Sequence, residues 1–151
     1  MFVRNILTIL FISMLTACGA TPYQKLTVFT LTGGYYDQEL PTGEYKVGFY
    51  GNGYTGVTSV MGFALLRCAE LTIEKGNNYF EIVQGGYDIS ENTYWTDFNG
   101  YEIVSYSSLP SAEYIIRLHD SEPEDPEGKV FNALQTKQRI TKRQQTEKQT
   151  K

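Results

Sequence analysis

The residue with the most specific chemistry is Cys18, which closes the run Leu15-Thr16-Ala17-Cys18. A thiol is the nucleophile needed to accept a diacylglyceryl group, and small residues before it let a chain enter a signal peptidase groove. Upstream stand a single cation, Arg4, and an apolar run from Ile6 to Leu15. That run is about half the roughly 20 residues a spanning helix requires. A charged start, a short apolar middle and small residues at the end describe a secretory signal, and LTAC is the lipobox form of its cleavage site. Residues 1–17 are therefore expected to be a signal peptide and Cys18 the lipidated first residue of the mature chain. Two or three acyl chains give stable attachment where one does not. Gly19, in place of the Asp that favours inner-membrane retention in enteric bacteria, leans towards the outer membrane.

The other reactive residue types read differently. With Cys18 consumed by lipid, Cys68 is the remaining thiol, so no intramolecular disulfide is available. Its place on an apolar helical stripe suits a small hydrophobe, not the electropositive, partly exposed site of a reactive thiolate. The single histidine, His119, excludes a zinc site built on several imidazoles such as HExxH. No GxSxG occurs, so a nucleophile elbow is absent. His119 reads as a surface residue beside Asp120 rather than a general base. Glu70 and Glu74 lie one helical turn apart, with Arg67 three residues before. Paired carboxylates can serve acid–base chemistry, but a solvated ion cluster, or Arg67 crossing to a strand to fix the helix, is the simpler account. Asp88-x-Ser90-x-Asn92 with Asp97 has the spacing of a calcium loop. Thr93 stands where that loop needs Gly, and Asn99 where it needs a bidentate acid. No catalytic residue, metal or cofactor is expected.

Aromatic residues point to recognition instead. Tyr94, Trp95, Phe98 and Tyr101 fall among Asp97 and Asn99, a mixture that suits a sugar face or a protein partner, where aromatics dominate binding energy. The alternative is that alternate rings simply cover a sheet. Charge is also segregated. Residues 18–128 hold 16 acidic and 5 basic residues, a net −11, whereas residues 129–151 hold 7 basic and 1 acidic, a net +6. Such a tail could meet anionic phosphates of lipid headgroups or lipopolysaccharide. Export argues against nucleic acid as a partner.

The elements that position these residues follow from periodicity. Residues 57–75 form one long helix, with Val57, Val60, Met61, Ala64, Leu65, Cys68, Leu71 and Thr72 on one face. Ser59, Arg67, Glu70 and Glu74 lie opposite, Gly76 follows as a C′ residue, and Thr55 or Thr58 is placed to cap the start. Strands are expected over 25–32, 44–50, 78–84, 87–94, 101–107 and 112–118, with Gly33-Gly34 and 35–41 as break and loop. Val47, Phe49, Ile82, Ile116 and Leu118 are the expected core. Asp125-Pro126-Glu127 reads as a helix start, with Val130, Phe131 and Leu134 docking that short helix. The 151 residues suffice for one domain, and short links between strands give an α+β layer with a mainly antiparallel sheet of five or six strands. The expected divisions are a tether over 18–24, a domain over 25–135 and a basic, disordered tail over 136–151.

These pieces resemble a family of small proteobacterial lipoproteins of unknown function. The likeness rests on Pro22-Tyr23-Gln24, on Tyr45-x-Val47-x-Phe49-x-Gly51-Asn52, on Leu66-Arg67-Cys68-Ala69-Glu70-Leu71-Thr72, and on Gly76 with Phe80. It spans Cys18 to Val83; the segment 87–106 and the tail depart from it. The resemblance implies an envelope lipoprotein with an α+β domain and brings no established activity. The functional expectation is a binding or structural module held at the outer membrane, facing the periplasm. A carbohydrate-binding module using Tyr94, Trp95 and Tyr101, and a hydrolase using Glu70, Glu74 or His119, are the alternatives.

Overall fold

The computed structural model describes residues 19–30, 32–98, 101–124 and 127–149, with backbone alone for what it covers of 92–107 and for Lys148. Five strands and two helices follow in order: β1 (Gly34–Glu39), β2 (Tyr45–Tyr50), α1 (Val57–Glu74), β3 (Tyr79–Phe98), β4 (Tyr101–His119), β5 (Val130–Asn132) and α2 (Ala133–Gln149). The strands form one sheet in the order β1-β2-β4-β3-β5, each neighbouring pair antiparallel. The chain is α+β.

Helix α1 covers one face of the sheet. Val47 and Phe49 of β2, Phe80 of β3, Ile116 of β4, Val60, Ala64, Cys68 and Ala69 of α1, and Ala133 of α2 are fully buried between them. Ile82 and Leu118 pack against this core half-buried. The helix ends as its sequence dictates. Gly76 takes φ 81°, its N–H reaches the Ile73 carbonyl and the Asn77 N–H reaches that of Thr72, both at 3.0 Å. That is a Schellman ending, which satisfies the last orphan carbonyls. At the other end Gly56 is the N-cap and no side chain caps it; Thr55 is engaged elsewhere, as described below.

The opposite sheet face is polar and knitted by its own side chains. Lys46 pairs with Glu113 at 3.0 Å, and Arg117 bridges Glu44 at 2.6 Å and Glu81 at 3.3 Å. The Tyr36 hydroxyl donates to Glu113, and the Tyr36 ring stacks on Tyr50 with centroids 5.1 Å apart. That hydroxyl bond, with Lys46, holds the Glu113 carboxyl below its ordinary pKa. Its contribution to stability is therefore present above the ordinary carboxylate range and lost as pH falls through the depressed value. Tyr36 lies over Gly48, where a Cβ would come within 2.5 Å of the ring. Gly48→Ala must displace the ring, and an overpacking cost of about 1–3 kcal/mol is expected in urea unfolding. Gly62, inside α1 with open space where a Cβ would sit, gives the opposite sign. Gly62→Ala should stabilise by about 0.5–1 kcal/mol through helix propensity.

Four expectations are corrected. The first strand is Gly34–Glu39, not 25–32; Lys25 makes one isolated parallel bridge to Tyr35. Thr27 and Thr30 instead close a tight turn through their own hydroxyls and backbone, the local competition with strand pairing that threonine offers. The polar segment 34–39 forms a strand because all of it pairs with β2. Second, the four segments expected over 78–118 are two long strands, paired continuously from Tyr79↔His119 to Phe98↔Tyr101 with an irregularity between Ile82 and Gln84. Third, the basic tail is helical to Gln149. Asn132 Oδ1 accepts from the Gln135 N–H at 3.0 Å as a cap, and Thr136 is buried. The expected start at Asp125-Pro126 lies outside the described residues; Val130–Asn132 form β5, Phe131 stacks on Phe80 at 5.3 Å, and Leu134 is exposed. Fourth, Arg67 is buried rather than on a solvated face; of the two accounts given for it, the one in which it crosses to a strand holds, through Asp37 of β1.

Candidate functional site

Cys18 lies outside the described residues, but the chain immediately after it does not hang free as a tether. Asn52 Nδ2 donates to the Gly19 carbonyl at 2.8 Å. The Thr21 N–H donates to Thr55 Oγ1 at 2.8 Å, its hydroxyl donates to the Thr32 carbonyl, and its oxygen accepts from the Asn52 N–H at 2.9 Å. Thr21 is 2% exposed. Two residues on, the Tyr23 ring packs against Tyr35 at 4.9 Å and Phe63 at 5.5 Å, and its hydroxyl donates to Glu70 at 2.5 Å. Burial, then the Glu70 carboxylate, pushes the Tyr23 phenol far above its ordinary pKa, so it remains a donor at neutral pH. Sequence reasoning missed this docking; the turn Gly51-Asn52-Gly53 was legible, but not that Asn52 and Thr55 would spend their side chains on residues 33 and 34 positions earlier.

From the same end of the sheet β3 and β4 run on, paired among the described residues only with each other. Strand β2 pairs with β4 only as far as Tyr50↔Ser111, while β3 and β4 stay paired to Phe98↔Tyr101. Residues 88–98 and 101–110 thus form a two-stranded arm of about 35 Å at ~3.3 Å per residue. Asp88, Ile89, Ser90, Glu91, Ser108 and Leu109 near its base are exposed, so neither of its faces is covered there. Of the proposed partner face, Tyr94, Trp95 and Phe98 lie on the β3 side of the arm and Tyr101 begins β4, with Phe98 and Tyr101 paired beside the tip; their side chains lie outside what is described. The calcium-type spacing Asp88-x-Ser90-x-Asn92 sits on extended strand, not on a ligand-wrapping loop.

The other polar candidates are placed apart. Arg67 extends from α1 to β1. Its Nε donates to Asp37 at 2.7 Å and its two terminal nitrogens fork onto Glu74 at 2.7 and 2.9 Å. The guanidinium also lies 4.9 Å from the Tyr35 ring centroid. Burial works against its charge, but the bonds to Glu74 and Asp37 outweigh that and raise its pKa above the ordinary arginine value. Glu70 is held by Tyr23 and by Lys137 of α2 at 3.3 Å. His119 Nε2 lies 3.1 Å from Glu81 on the sheet, and no contact joins it to Glu70, Glu74 or Cys68 among the described residues. Cys68 is fully buried, and burial pushes its thiol well up, towards the inert neutral form. Between α1 and α2, Thr58, Gly62, Phe63, Ile140 and Arg143 line a cleft of about 100 Å³, below the roughly 300–1,000 Å³ of small-molecule sites. Among the described residues no cluster of His, Cys, Asp and Glu could hold a metal, and no helix is long and apolar enough to cross a membrane.

The arrangement thus offers a docked N-terminal segment and a projecting ribbon, with Arg67, Glu70, Glu74 and His119 each engaged in a structural pair. Compared with known protein families, curated proteins and solved structures, the chain matches none.

Proposed function

We propose that this is a lipid-anchored lipoprotein of the bacterial cell envelope, attached through Cys18 to the outer membrane and facing the periplasm. Its α+β domain serves as a binding module that offers the β3–β4 arm to a protein or glycan. The observation that carries the anchor is the run Leu15-Thr16-Ala17-Cys18 behind a short apolar segment. The arm supports the binding role. An isolated two-stranded ribbon is marginal in water, and its unpaired backbone edges and aromatic residues are what strand addition and hot-spot recognition use.

Metabolic labelling with a fatty-acid probe tests the anchor. The wild type is expected to be labelled and to sediment with membranes, and Cys18→Ala to lose both properties. Equal labelling of the two forms would overturn it. For the arm, a photo-crosslinker at exposed Glu91 is expected to capture a discrete envelope component. The same crosslinker at Thr42, in the exposed β1–β2 turn, is not.

A further inference from the structure

The free edges of the sheet are not alike. Along β1 the Leu26 N–H donates to the Tyr35 carbonyl at 2.7 Å and the Tyr35 N–H to the Gln24 carbonyl at 2.8 Å, so the N-terminal segment covers that side. Strand β5 is three residues long. In the arm, the outer edge of β3 belongs to a stretch with Asp88, Glu91 and Asp97. Cover, short strands and charges are the means by which proteins block edge-to-edge pairing. The outer edge of β4 has none of them. From Ile103 to Ala112 no residue is charged, and among the described residues β2 leaves this edge after Ser111. Uncharged stretches of β-prone residues pair readily with their like.

Backbone geometry says which groups of β4 are open. The Gly51 N–H donates to the Pro110 carbonyl at 2.9 Å, on the β2 side. In an antiparallel ladder the N–H and C=O of one residue point to the same side, and the side alternates along the strand. Ser108, Tyr106, Val104 and Glu102 therefore turn theirs away from β3, as Pro110 does. A Cβ on Gly53 would lie 3.5 Å from the Ser108 carbonyl oxygen, so the 51–54 loop flanks that residue. Glu102, Val104 and Tyr106 remain open. One twofold antiparallel register matches all three, with Val104 opposite Val104, and Glu102 opposite Tyr106, of a second copy. It sets no carboxylate against another, whereas β3 against β3 would bring three from each copy to one seam.

We infer that Tyr101–Ser107 of β4 adds to the same segment of a second copy of this chain, antiparallel about an axis at Val104. The two arms then form one four-stranded sheet in the order β3-β4-β4-β3, which relieves the marginal stability of an isolated ribbon. A foreign strand can use the same hydrogen bonds; what singles out a second copy is that the open groups complement themselves in number, register and charge. This rests on the reading of the arm as the binding element, names one partner for it, and is independent of lipid on Cys18. The β3 edge stays free for a different partner.

The test uses the full-length chain purified from membranes in detergent. Sedimentation equilibrium is expected to show a dimer, and a monomer at every concentration tested overturns the inference. Val104→Lys sets two like charges on the axis and is expected to raise the dissociation constant roughly tenfold or more, while the outward peptide groups of residue 104 leave the β3–β4 ladder untouched. Ile89→Lys, on β3, is expected to leave the dimer unchanged. Equal dissociation constants for the wild type and Val104→Lys put the dimer on another surface and overturn the seam. A second measurement adds no charge. With a short bis-maleimide on membranes, Val104→Cys is expected to cross-link to itself several-fold more than Ile89→Cys, the native Cys68 being buried. Equal yields at the two positions mean random collision and overturn it. A protein that stays monomeric yet captures an envelope component at Glu91 overturns the dimer and leaves the binding role of the arm standing; one that does neither overturns both.

Discussion

Phe49→Ala is expected to cost about 3–5 kcal/mol, the range for truncating a buried aromatic. Phe49 is fully buried in β2, its ring 4.7 Å from that of Phe63 on α1, and its backbone is paired with Tyr35 on one side and Ala112 on the other. The side chain touches both layers, and a cavity there cannot close without moving a strand held by two ladders. Against a total stability of about 5–15 kcal/mol, that loss should lower the urea midpoint by about a fifth at the least, and should leave the domain unfolded where the total lies at the low end of that range. Truncating an exposed ring such as Tyr54 should leave the midpoint nearly unchanged. A loss at Phe49 under about 1 kcal/mol would mean that α1 does not sit on β2 as described.

Arg67→Ala should be the most damaging change among the charged residues. Removing one partner of a buried ion pair costs about 3–5 kcal/mol because the other charge is left unpaired. Here the side chain of Arg67 is 9% exposed and that of Asp37 24%, but Glu74 is 55% exposed and can hydrate. About 2–4 kcal/mol is the expectation. Arg67→Lys should recover only part of it, since an ammonium cannot fork onto Glu74 while also reaching Asp37. Glu74→Gln, at the exposed end, should cost under about 1 kcal/mol. Equal losses for Arg67→Ala and Glu74→Gln would contradict the bridge from α1 to β1.

What was legible in the sequence was whatever a single element decides for itself. The 3.6-residue period of 57–75, the Gly76 ending and the alternation through Val47 and Phe49 needed no partner to be read. The features missed depend on residues far away. Strand β1 is polar, and its pairing with β2 and the hold of Arg67 on Asp37 make it a strand. Arg67 sits among Leu66, Cys68 and Ala69, so periodicity assigned it to the solvent side, although a guanidinium with two carboxylate partners can be buried. Helix α2 lacks an apolar stripe beyond Ile140, but Lys137 with Glu70 and the fully buried Ala133 seat it on α1 and the core. Gly85-Gly86 signals a turn and so predicts separate strands; in the ladder they continue β3 opposite Tyr114 and Glu113. The docking of Gly19 to Gln24 left no local trace, because hydroxyl and amide side chains in a loop do not announce which carbonyl they will reach.

The most direct measurement is the mass of the N-terminal tryptic peptide, ending at Lys25, from protein purified out of bacterial membranes. The account predicts a peptide that begins at Cys18 and carries the mass of a thioether-linked diacylglyceryl group, with or without an N-acyl chain. A peptide with unmodified Cys18, in a chain cleaved elsewhere or still carrying residues 1–17, would contradict it.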